Sequence, residues 1–66
     1  MQQQQMEAKS LTLMQDQMER EALAFKKFDL YSNYFTDTNL KDLACSCAQH
    51  HKQHFENMLN YLNSHQ

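Results

Sequence analysis

Phe35-Thr36-Asp37-Thr38-Asn39-Leu40 is the stretch that decides the fold of this chain. Thr36 through Asn39 are four short polar residues, all good turn or N-cap formers, set between two runs with a helical pattern. Upstream, Leu11, Met14, Met18 and Glu21 are followed by Phe25, Phe28, Ser32 and Phe35 at alternating spacings of three and four. That is the seam of an amphipathic helix. Downstream, Leu40, Ala44, Cys47/Ala48 and His51 continue into Phe55, Met58/Leu59 and Leu62 with the same period. The sequence therefore predicts an all-α chain, two helices over about 11–35 and 39–63, and the short connection forces an antiparallel hairpin. Thr12 with Gln15 is a candidate capping box for the first helix, and Ser10 is an equally fair cap. Asp42 is expected in the first turn of the second helix, where the dipole favours an acid.

Working outward, residues 1–9 are polar and glutamine-rich with nothing to pack, and they read as a frayed tail or a loose helical extension. Residues 10–66 form a single helical-hairpin domain, with Asn63-Ser64-His65-Gln66 expected to fray. The 66 residues hold no glycine and no proline. Phosphate-cradling loops, nucleophile elbows and dinucleotide turns need glycine where backbone approaches ligand, so this stretch can build none of them. Lacking both punctuators, it is free to run in long helices. Lys+Arg 6 against Asp+Glu 8 gives a net charge of −2, which leaves no electrostatic footprint for nucleic acid. No apolar run approaches the roughly 20 residues that span a bilayer, so no membrane partner is expected. Met1-Gln2-Gln3-Gln4-Gln5 has neither a basic nor an apolar region of the kind a secretory signal carries. Cys45 and Cys47 point apart around a helix and are read as reduced thiols in the cytoplasm.

Glu21 is the odd residue in the first seam. An unpaired carboxylate there costs several kcal/mol, so it must be neutralised, hydrogen-bonded or bound to a cation. Counting from the turn in an antiparallel hairpin places Glu21 level with His54, and His51 one turn earlier on the second seam. Glu21, His51 and His54 are thus the candidate metal ligands, a carboxylate and two imidazoles of a kind that suits a transition ion such as Zn, Cu or Fe. The competing reading is a Glu21–His51 hydrogen bond that fixes the register of the helices. Cys47, one turn before His51, is a further ligand in the first reading and a small buried hydrophobe in the second. His50 and Cys45 are expected on the surface or flank, and the methionines and aromatic residues in the core. Phe28→Ala is expected to cost about 3–5 kcal/mol as truncation of a buried aromatic.

Two resemblances accompany these residues. Glu21 through Ser32 resembles the first helix of the rubrerythrin branch of ferritin-like proteins, and the helix carrying His51 and His54 is similar to that family's Glu-x-x-His helix. Glu21 and His54 match the family's ligands, whereas His51 stands where the family has a bridging glutamate. Residues 10–63 also resemble small spore coat proteins of the coat F type from spore-forming Firmicutes. That likeness runs through Leu11-Thr12, Asp16, Glu21, Lys26-Lys27-Phe28, Thr36-Asp37, Leu40-Lys41, His51, His54, Leu59 and Tyr61-Leu62.

The resemblances imply a half-bundle that pairs as a homodimer into a ferritin-like four-helix bundle. They also imply a setting in sporulation: the mother cell and the spore coat, with other coat proteins as partners. The two glutamates and four histidines of such a dimer lack the bridging carboxylates of an oxygen-activating iron pair. The resulting expectation is a non-enzymatic structural or assembly protein with no catalytic residues. Its rivals are a metal-binding protein with weak redox activity and a helical adaptor that docks a partner helix.

Overall fold

A computed structural model describes residues 7–64. Two α-helices of equal length, α1 (Ala8–Tyr34) and α2 (Thr38–Ser64), pack against each other as a hairpin. The hairpin and its two seams are as the sequence predicts, while both helices begin earlier. α1 gains a turn because Ala8 and Lys9 offer nothing to stop it. Glu7 stands at its N-cap in extended backbone, without a side-chain cap bond, and its carbonyl accepts from the Leu11 N–H. The expected capping box at Thr12 and Gln15 is not formed. The Thr12 hydroxyl lies inside the helix and donates to the Ala8 carbonyl at 3.0 Å. Ser10 caps nothing either, its hydroxyl donating to the Glu7 carboxylate at 3.5 Å. Of the expected tail, residues 1–6 lie outside the described residues and Ala8 and Lys9 belong to α1. At the other end Asn63 and Ser64 belong to α2, and residues 65–66 lie outside the described residues.

The turn solves a specific problem. Helices commonly stop on a left-handed glycine, and this chain has none. α1 ends instead on Phe35 in extended backbone (φ −72°, ψ 139°), whose N–H still reaches the Tyr31 carbonyl at 3.0 Å. No described residue has positive φ. Asp37 then caps α2, its Oδ1 accepting from the Leu40 N–H at 3.0 Å and its carbonyl from the Lys41 N–H at 2.9 Å. With the cap at Asp37, Asp42 falls in the second turn of α2, and no acid occupies the first.

The core is thin. Met18, Ala44, Ala48 and Glu21 are the buried residues among those described. Ala44 and Ala48 face α1 one turn apart, and their small side chains bring the backbones close enough for α1's larger residues to pack alongside. Phe25, Phe28, Phe35 and Phe55 are half-buried, and Leu43 is 61% exposed. Two helices each cover one side of the other, so an apolar stripe wider than that contact stays in water. No described helix is long and apolar enough to cross a membrane.

Candidate metal centre

Glu21 and His51 are each the fourteenth residue of a 27-residue helix, the midpoints of α1 and α2. They lie equally far on either side of Thr36, so the hairpin brings them to one level. Glu21 is only 8% exposed. Its Oε1 is 2.5 Å from His51 Nδ1, and its Oε2 is 3.5 Å from His54 Nδ1. The Gln17 side-chain amide, one turn back on α1, donates to Oε2 at 3.0 Å. His54 is placed one turn further from the connection than His51. It returns to Glu21 because helical side chains lean toward the N-terminus of their own helix, which for α2 is the turn end. The same lean carries the His51 ring onto Phe28, with centroids 5.6 Å apart and planes 4° from parallel. His51 and His54 stand edge to face, 6.3 Å between centroids.

Electrostatics follow from this geometry. The His51 hydrogen bond is the main influence holding the Glu21 carboxyl below the usual carboxylate range. Burial pushes the other way, while the Gln17 hydrogen bond and the charges of His54 and His51 add to the lowering. The carboxylate is therefore ionised at neutral pH although it stands in the seam.

The chemistry of this donor set is that of a small transition-metal site. One ligand atom each from Glu21, His51 and His54 lie within 4.8 Å of one another. Two ligands at about 2.1 Å from a tetrahedral ion are about 3.4 Å apart. The His54–Glu21 separation already matches that spacing. The His51–Glu21 contact is shorter and is a hydrogen bond. An ion entering the cluster must displace the proton shared there and draw the two atoms about 1 Å apart. Three protein ligands leave a fourth position open.

The sequence expectation for all three ligands is met in their proximity, and so is the Glu21–His51 hydrogen bond of the competing reading. Cys47 stands outside the cluster and lines an apolar hollow with Phe28, Tyr31 and Leu43. His50 is exposed, with its ring edge-on to His54. Cys45 and Cys47 are free thiols, the first exposed and the second half-buried. Sequence reasoning missed Gln17 and the stacked Phe28. Gln17 was legible as the residue one turn before Glu21, whereas the Phe28 stack depends on side-chain lean across the interface.

Compared with known protein families, with curated proteins and with solved structures, the chain matches none of them.

Proposed function

We propose that this chain is a non-enzymatic helical assembly module that holds one transition-metal ion at Glu21, His51 and His54. The observation that carries the metal reading is a carboxylate, 8% exposed, at the midpoint of one helix with two imidazoles from the facing helix turned onto it. Two nitrogens and one oxygen suit Zn and Cu, and two histidines with one carboxylate are also a donor set that holds non-haem Fe(II). The cluster has no second carboxylate to bridge two oxygen-activating irons, which speaks against a di-iron centre. The setting that the coat F resemblance implies belongs to the same proposal and rests on that residue pattern alone.

The test is metal content of untagged protein together with zinc titration by calorimetry, on the wild type and on Glu21→Ala. The wild type is expected to bind one ion per chain and to release protons, and the variant to lose at least about tenfold in affinity, as when one ligand of a site is removed. No binding, or equal binding by both proteins, refutes the site. Either result would leave the second reading, for which the 2.5 Å Glu21–His51 contact speaks: a buried polar pair that sets helix register.

A further inference from the structure

His50 is the histidine of α2 that the Glu21 cluster leaves out, and it is not isolated. His50 and His54 are four residues apart in a continuous helix, which sets them on one face a turn apart. His50 is exposed and the His54 side chain is 53% exposed, so solvent reaches both rings. The rings stand edge to face with centroids 6.4 Å apart. A tetrahedral ion about 2.1 Å from one nitrogen of each ring sets the centroids about 5 Å apart, so closing the pair by about 1 Å makes a chelate. The exposed His50 ring can turn to supply that movement. No ammonium competes for the position. Lys52, between the two in sequence, projects from the far side of α2, with its ammonium 5.9 Å over the Phe25 ring. Gln49, His50 and Gln53 line a shallow open hollow, which leaves room for the waters that complete an ion's coordination.

The His54 ring is also held in the way a ligand imidazole is held. Metal-binding histidines turn their second ring nitrogen to a carboxylate, which fixes the ring and raises the basicity of the nitrogen that binds. His54 Nδ1 is 3.5 Å from Glu21 Oε2, and the Gln17 amide holds that same oxygen at 3.0 Å. With Nδ1 turned to Glu21, Nε2 is the nitrogen left for an ion.

We propose that His50 and His54 form a second metal position on the outer face of α2, taking one late divalent ion such as Zn or Cu through two imidazoles and water. Glu21 orients His54 there and does not touch the ion. The outer position and the inner cluster exclude each other. A neutral imidazole has one nitrogen with a lone pair and one that carries hydrogen. His54 therefore serves an inner ion through Nδ1 or an outer ion through Nε2, never both. Two protein ligands hold an ion less tightly than three, so the outer position is the weaker. It fills without opening the Glu21–His51 hydrogen bond.

The test is a zinc chloride titration of the full chain, read by calorimetry and by nitrogen-15 NMR of the histidine rings. His51→Gln removes an inner ligand and keeps Glu21 against His54. In that variant one zinc ion is expected at the pair, with His54 metallated at Nε2 and hydrogen-bearing at Nδ1. Adding His50→Ala is expected to lower the affinity at least about tenfold, as when one ligand of a site is removed. Circular dichroism checks that each variant is folded. Should His51→Gln lose helicity, Glu21→Ala carries the same comparison, about tenfold weaker because the orienting carboxylate is gone. Zinc binding in these backgrounds that is indifferent to His50→Ala overturns the proposal. So does His54 metallated at Nδ1 in His51→Gln, or at both nitrogens in one wild-type chain. The inner cluster is judged separately, on the wild type. If it is the tighter position, His50→Ala alone changes wild-type zinc affinity less than about twofold. A loss of about tenfold there would leave the outer pair standing and sink the inner cluster.

Discussion

Phe28→Ala is the most informative single substitution, because its cost depends on how much of the ring the protein covers. In one hairpin Phe28 is half-buried, stacked on His51 and edge-to-face with Tyr31 at 5.9 Å. A phenylalanine buries about 200 Å² when fully covered, so half burial removes about 100 Å² from water, worth about 2.5 kcal/mol. Alanine keeps part of that, and the single hairpin should lose about 2 kcal/mol. The 3–5 kcal/mol expected from sequence belongs to a fully covered ring, which the hairpin alone does not provide. Urea unfolding followed by far-UV circular dichroism measures the loss. A loss below about 0.5 kcal/mol, the range of surface substitutions, would refute the placement of Phe28 in the seam.

Other substitutions probe the turn, the packing and the carboxylate. Asp37→Ala should cost about 1 kcal/mol by removing the cap on the Leu40 N–H, and Asp37→Ser should restore most of it in the same unfolding experiment. Ala48→Leu should cost about 1–3 kcal/mol, because a larger side chain at a position 3% exposed pushes the helices apart. Proton NMR of the His51 ring should then show the Glu21 contact loosened. For Glu21 the pH dependence has a definite sign. Its carboxyl is held below its ordinary value in the folded chain, so its contribution to stability is complete above the unfolded-state value and disappears as pH falls through the lower folded one. Thermal unfolding with a chelator should therefore show a wild-type loss of stability in acid that is smaller in Glu21→Gln. Equal acid profiles would contradict the hydrogen-bonded carboxylate.

Much of the fold was legible from residue periodicity. The seams from Leu11 to Phe35 and from Leu40 to Leu62 mark the contact between the helices because a three-and-four spacing leaves one face for burial. Ser32 and His51, the polar seam residues besides Glu21, are half-buried as their positions require. Helix ends were harder to read. Thr12 and Ser10 have good capping side chains, yet Ala8 and Lys9 let the helix pass them, since a cap acts only where the backbone already stops. Thr36, Asp37, Thr38 and Asn39 are all eligible to start α2, and only the backbone path after Phe35 selects Asp37. The site was half legible. Glu21 was conspicuous as an acid in an apolar stripe, and counting from the turn brought histidines to its level.

The sequence by itself determined that this chain is helical, that it turns once near Thr36–Asn39, and that Glu21 must be neutralised, hydrogen-bonded or bound to a cation. Those are properties of local propensity, period and the cost of burying charge, which need no coordinates. Only the tertiary structure decided which histidine holds the carboxylate and how much apolar surface the hairpin leaves uncovered. Counting alone favoured His54 as level with Glu21, whereas the packed helices set His51 at 2.5 Å and His54 at 3.5 Å. The reason is geometric: the folded hairpin is centred at Thr36, which sets His51 opposite Glu21, and side-chain lean toward the turn brings His54 back to the same carboxylate.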